Sequence, residues 1–143
     1  MKTEGEFNAY LSKQLKKYNP QVASVKIADK FQVGISDFLI WANSKSLALE
    51  TKHIMDLPER KTTKILTHPF SGAQLTFLET ISLAGSMGYG LISIDSEQRF
   101  YVIHYKDIPS DGNFTRAQFE AVTKASFSYK EIDQFLSFFF GVV

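Results

Sequence analysis

Asp37, Glu50 and Lys52 stand in two apolar, β-prone runs, residues 35–42 (ISDFLIWA) and 47–54 (LALETKHI). Residues two apart in a strand share a face, so Glu50 and Lys52 project to the same side. Asp37 begins the first run, and a hairpin turning through residues 43–46 brings its carboxylate near Glu50. Two carboxylates and a main-chain carbonyl, that of Thr51, suit a hard divalent cation such as Mg2+, with Mn2+ as its substitute. Such an ion polarises a phosphoryl oxygen and lowers the pKa of a bound water. Lys52 beside it can orient that water and stabilise the charge that builds on phosphorus. The chemistry described by these residue types is metal-assisted hydrolysis of a phosphodiester.

An Asp followed by Glu-x-Lys also arises by chance. Asp37 can cap a turn, and Glu50 with Lys52 can be an exposed ion pair worth little. The surroundings weigh against that: the charges interrupt runs that read as buried, where unpaired charge is costly and usually functional.

Other chemistries lack their residues. The 143-residue chain has no cysteine, which removes disulfide scaffolds, thiolate metal sites and Cys nucleophiles. No two of the three histidines have zinc-ligand spacing. His53 points away from Lys52 and reads as a strand-end histidine, His104 as a strand histidine. Ser36 and Ser71 have no acid–His arrangement nearby, and Gly85, Gly88 and Gly90 match no P-loop and read as glycines that end a helix and turn the chain. The net charge of +1 argues against a histone-like electrostatic binder. That total hides a gradient: residues 1–30 carry +3, 31–60 −1, 61–90 +1 and 91–143 −2.

The elements that must position the trio follow from periodicity. Residues 3–18 form an amphipathic helix with Thr3 as N-cap and Glu6 at capping-box spacing, ended by Asn19-Pro20. Val22 to Ile27 is a short strand, followed by the hairpin. Residues 56–68 read as a basic loop, and 71–85 as a helix with Leu75, Leu78 and Ile81 inward. Residues 91–95 and 100–105 are two strands, and 115–124 and 130–140 two final helices, the last with Ser128 and Glu131 as a capping box. The order α-β-β-β-α-β-β-α-α makes one α/β (α+β) domain over residues 1–143, with a mixed sheet of about five strands flanked by helices. No segment approaches a membrane span or a signal peptide, so a soluble protein of the cytoplasm is expected.

The segments Gly34-Ile35-Ser36-Asp37-Phe38-Leu39-Ile40 and Ala48-Leu49-Glu50-Thr51-Lys52 resemble the PD-(D/E)xK nuclease superfamily, with Ser36 where many members carry Pro. Glu4-Gly5-Glu6-Phe7 and the Gln74-bearing helix Ala73–Leu78 are similar to phage and VRR-NUC-like nucleases. His68-Pro69-Phe70 through Gln74, then Gly88-Tyr89-Gly90-Leu91-Ile92 and Ile132-Asp133-Gln134-Phe135-Leu136, are similar to RecU-type Holliday junction resolvases. The likeness runs in order from residue 4 to about 136. RecU proteins carry a long stalk before the catalytic Asp; here only residues 28–37 fill that gap.

The resemblance implies a restriction-endonuclease-like core and a Mg2+-dependent endonuclease, most simply a phage-type resolvase of four-way DNA junctions working as a homodimer. Asp37 and Glu50 would bind the metal and Lys52 would be the catalytic lysine. Glu4, which shares the inward face of Phe7 and Leu11, would complete or neighbour the metal site, with Glu6 as second choice. Gln74 would touch the site from the second helix. Two other readings stand beside this one: a nuclease of the same superfamily with a restriction-like, nicking or flap specificity, or a catalytically silent DNA-binding module.

For a DNA track, Arg60, Lys61 and Lys64 follow the catalytic strand directly, and Lys26, Lys30 and His68 flank the approach to it. Lys13, Lys16 and Lys17 read as the wet face of the first helix. Thirteen Phe against one Trp is an unusual balance, and Phe135, Phe138, Phe139 and Phe140 are too many for a solvated helix. Part of that cluster is core and the remainder is the expected dimer surface.

Overall fold

The structure, a computed structural model, describes residues 1–27 and 34–143. The expected DNA contact Lys30 and most of the segment before Asp37 lie outside the described residues. The elements are α1 (Glu4–Lys16), β1 (Ala23–Lys26), β2 (Phe38–Ala42), β3 (Lys45–Ile54), α2 (Gly72–Leu83), β4 (Met87–Ile94), β5 (Arg99–His104), α3 (Arg116–Ala121), β6 (Ala125–Ser128) and α4 (Ile132–Phe140). The six strands form one mixed sheet in sequence order. Only β3 and β4 run parallel; the other neighbours are antiparallel. Among the described residues no helix is long and apolar enough to cross a membrane.

Strand alternation sorts the apolar residues into two cores. Phe38, Ile40, Leu47, Leu49, Leu91, Phe100 and Val102 face α1 and α4, where Phe7, Leu11, Leu15, Phe135 and Phe139 meet them. Ile54, Ile92, Ile94 and Ile103 face the other way, against Ile65, Leu66, Phe70, Phe114 and Phe119. The central pair is covered on both faces, so β3 and β4 are buried along most of their length.

Several expectations need correction. The hairpin turn is two residues, Asn43 and Ser44, not four; both have positive φ (49° and 62°), the geometry of a type I′ turn that matches strand twist. The 115–124 helix stops at Ala121, and residues 125–128 add a sixth strand beside β5. Its register seats Phe127 opposite Phe100, and that burial outweighs local propensity. Ser128 ends this strand, so it does not cap the last helix: Glu131 holds the N-cap position, and its carboxylate accepts from Ser128 N at 2.7 Å. In α2 only Leu78 is fully buried.

Gly85 does end α2, with φ 105°, but Gly88 and Gly90 lie inside β4 rather than in a turn. A Cβ at Gly88 would stand 2.6 Å from Leu78 O and from Ser82 Oγ. One at Gly90 would stand 2.9 Å from the Phe70 ring and from Ile108 Cδ1. The glycines let α2 and Phe70 lie directly on the sheet.

Candidate functional site

β2 pairs with β3 only from Ala42↔Lys45 to Phe38↔Leu49. From Glu50 to Ile54, β3 keeps β4 as its neighbour and loses β2. At that divergence a ladder donor on the β2 side, Thr51 N, would lack a strand partner. The Asp37 side chain supplies one: Oδ2 accepts from Thr51 N at 2.8 Å and lies 3.0 Å from Thr51 Oγ1. Asp37 is itself pinned from β1's side, its carbonyl accepting from Ile27 N at 2.9 Å. N–H and C=O of one strand residue face the same edge, so the Thr51 carbonyl also opens toward the side β2 has left.

α1 brings the third carboxylate. Thr3 caps the helix, accepting from Glu6 N, and Phe7, Leu11 and Leu15 bury its inward stripe. Glu4 stands one turn before Asn8 on that stripe. Asn8 is buried and reaches Thr51, with Oδ1 2.7 Å from Thr51 Oγ1. The result is a convergence of Glu4, Asp37 and Glu50, each offering an oxygen within 4.8 Å of the others. Glu50 is 2% exposed, and the other two are half-buried. Opposed oxygens around one Mg2+ stand about 4.2 Å apart at ~2.1 Å per bond, so this all-oxygen set is of the size and hardness such an ion takes.

Glu50 is held from α2. Gln74 Nε2 donates to Glu50 Oε1 at 2.7 Å, while Gln74 Oε1 accepts from Ser71 N at 2.8 Å in a complete capping box. Lys52, 8% exposed, lies on the Glu50 face with its Nζ 5.3 Å from the centre of the Phe70 ring. The ring holds the ammonium by cation–π attraction while shielding its stem from water. Glu50 and Lys52 pair in register with Gly90 and Ile92 of β4. Gly90's missing Cβ is what admits Phe70 beside them.

Beyond the carboxylates an open groove of ≈ 620 Å³ is lined by Glu4 and Lys52, by Lys2 and Thr3, and by Ile65 to His68. Of the expected DNA contacts, His68 lies in this groove and is exposed. Lys26 is exposed on β1, in register with Phe38 and so one residue from Asp37. Arg60 is exposed on the loop after β3. Lys61 and Lys64 are engaged by acids: Lys61 pairs with Glu120, and Lys64 with Asp111 at 2.8 Å. These lysines hold the Glu120 and Asp111 carboxyls below the usual carboxylate range. Glu6, the second choice on α1, lies outside the carboxylate cluster and is exposed. His53 faces away from Lys52 as expected, stacked on Phe7, with Nε2 2.8 Å from Met1 O and Nδ1 bonded to Ser93 Oγ.

Asn8, Phe70 and Gly90 join the site without having stood out by type. Asn8 did carry a signal: it is a polar residue in the stripe Glu4, Asn8, Leu11, Leu15, where an apolar one would otherwise pack. Phe70 and Gly90 carry none, because their role depends on which loop lies over which strand.

No protein-family model and no curated protein sequence matches this chain. Among solved structures it is similar to Hjc from Archaeoglobus fulgidus, described as a Holliday junction resolvase from an archaeal hyperthermophile. The TM-score is 0.55 with 17% sequence identity, over 90% of this chain and 92% of that one. At that identity the likeness is one of fold, which is restriction-endonuclease-like, with six strands rather than about five.

Proposed function

We propose that this chain is a divalent-metal-dependent DNA endonuclease, and that its substrate is a branched DNA of the four-way-junction kind. The observation that carries the reading is the meeting of Glu4, Asp37 and Glu50 oxygens within 4.8 Å, with buried Lys52 on the same face as Glu50. The fold shared with a protein described as a Holliday junction resolvase supports the choice of substrate.

Glu4, Asp37, Glu50 and the Thr51 carbonyl would hold Mg2+ or Mn2+. When bound, the ion supplies Lewis-acid polarisation of the phosphodiester and an acidified water. Lys52 Nζ, fixed over Phe70, would donate a hydrogen bond to the attacking water and set a positive charge beside the phosphate as negative charge accumulates. Gln74 keeps Glu50 Oε1 from rotating. The strand to be cut enters along the groove that Lys52 and Glu4 line, with Lys2 and His68 against its phosphates. Lys26, Arg60, Lys61 and Lys64 extend the contact outward.

Cutting two strands of a junction symmetrically asks for a two-fold dimer. Phe138, 52% exposed on α4 beside buried Phe135 and Phe139, is our choice for its contact. Our reading places the chain in the cytoplasm of a bacterial or phage-infected cell.

The test is cleavage of a synthetic four-way junction, a flap and a linear duplex of matched sequence in Mg2+ and in EDTA. Paired nicks in the junction, dependent on metal and abolished in Asp37→Asn and Lys52→Ala while DNA binding persists, are expected. Preferential cutting of flap or duplex moves the substrate class, and cleavage by those variants at the parent's rate removes the site assignment. Binding without cleavage by the parent under every metal condition leaves the catalytically silent module.

A further inference from the structure

The carboxylate cluster depends on a link that none of its members makes alone. Asp37 sits at the hairpin and Glu4 on α1, and Thr51 hydrogen-bonds both Asp37 and Asn8, one turn after Glu4 on α1. The Thr51 hydroxyl lies 2.7 Å from the Asn8 amide and 3.0 Å from Asp37 Oδ2. Both Asn8 and Thr51 are buried, at 8% and 0% exposure, where a polar group keeps its place only with its hydrogen bonds made.

A hydroxyl carries one proton and can donate to only one of two acceptors. Asp37 Oδ2 is acceptor-only when ionised. The Asn8 oxygen faces the hydroxyl, so one proton leaves one of the two neighbouring oxygens without a donor; a half-turn of the amide, which exchanges its N and O, would let Thr51 accept from Asn8 and donate to Asp37 Oδ2. The chain of donation then runs from Asn8 N–H to Thr51 Oγ1, and from Thr51 O–H to Asp37 Oδ2. Thr51 N adds a second, parallel donor to the same oxygen. Successive donors polarise one another, so the last bond to the carboxylate is strengthened by the first.

We propose that Asn8 and Thr51 are positioning residues, a hydrogen-bond relay from α1 that orients the Asp37 carboxylate for the metal. The proposal rests on the metal-centre reading above. It couples two ligands through one helix: the turn that presents Glu4 also presents Asn8, so docking of α1 sets both carboxylates at once.

The experiment is calorimetric titration of the whole protein with Mn2+, together with melting temperature in EDTA. Thr51→Val keeps the strand and its backbone N–H but loses the hydroxyl; we expect Mn2+ binding about 10-fold weaker or more, as for a hydrogen bond to a charged group. Thr51→Ser restores it. Asn8→Leu weakens binding by less, and Asn8→Leu with Thr51→Val binds no worse than Thr51→Val alone, since Asn8 acts through the hydroxyl. A structural role would lower the melting point in EDTA and leave Mn2+ affinity unchanged; that result, or equal binding by Thr51→Val and the parent, overturns the relay. The Val and Ser variants decide the matter if Asn8→Leu does not fold. Failure of the parent to bind Mn2+ in a Glu50-dependent way overturns the metal centre itself, and the relay with it.

Discussion

Gln74 spends its amide twice, donating from Nε2 to Glu50 at 2.7 Å and accepting at Oε1 from Ser71 N, the N-cap of α2. The capping box thereby fixes which way the amide faces, and the amide fixes the most buried carboxylate of the cluster. A local helix-starting motif thus serves the site.

That double use separates two substitutions. Gln74→Glu keeps an acceptor for Ser71 N and sets a like charge against Glu50. We expect cleavage to fall at least 10-fold, and the EDTA-state stability to fall through the like charge beside buried Glu50 and not through the cap, which is kept. Gln74→Ala loses both bonds and lowers both quantities. Steady-state cleavage and thermal melting of the two variants check this, and equal cleavage by Gln74→Glu and the parent would show that Glu50 does not need its donor.

Gly90 is the seat of Phe70. An added methyl would meet the ring at 2.9 Å and Ile108 Cδ1 at 2.9 Å. Gly90→Ala should cost about 1–3 kcal/mol by overpacking and should displace the ring from beneath Lys52. Phe70→Leu should lower cleavage with little loss of Mn2+ affinity, because Lys52 and not a ligand is left unsupported. Chemical denaturation measures the first, and parallel binding and cleavage assays the second.

Metal removal should be visible without any substrate. An ion that binds the folded chain at 100 times its Kd adds about 2.7 kcal/mol of stability. Melting in excess Mn2+ should therefore exceed melting in EDTA by several degrees in the parent and by almost nothing in Glu50→Gln. A rise of the same size in the variant would place the ion elsewhere.

The ion pairs of Lys61 with Glu120 and Lys64 with Asp111 make two predictions. Both carboxyls have folded pKa values depressed, first of all by their hydrogen bonds to the lysines. A depressed folded pKa means stability present above the unfolded value, near pH 4, and lost as pH falls through the folded one. The loss should be small for such exposed groups, confined to acid pH and weakened by salt. DNA phosphates must also compete with these acids for the lysines. Glu120→Gln should raise DNA affinity at low salt and steepen its salt dependence by about 0.9 in log–log slope for one released lysine. An unchanged slope would take Lys61 out of the DNA track.

The chain's residue types and periods carried a good deal on their own. Asp37, Glu50 and Lys52 were legible because strand period two puts Glu50 and Lys52 on one face, and because charge inside FLIWA and LAL runs has few structural uses. Glu4 came from the family resemblance, with helical period placing it on the face of Phe7, and the hairpin from two β-prone runs around a polar turn. Those are local regularities, written within ten or so residues. What the tertiary structure alone decided is non-local. Whether Gly88 and Gly90 turn the chain or lie flat in β4 depends on α2 and Phe70 needing the space. Whether residues 125–128 become strand depends on β5 offering an edge and a pocket for Phe127. Lys61 and Lys64 read as uncommitted cations until Glu120 and Asp111, some fifty residues away in the chain, arrive beside them as competitors for any phosphate. Asn8, Thr51 and Asp37 become one hydrogen-bonded unit only when α1 packs where β2 leaves β3, because a buried hydroxyl takes the partners that packing delivers.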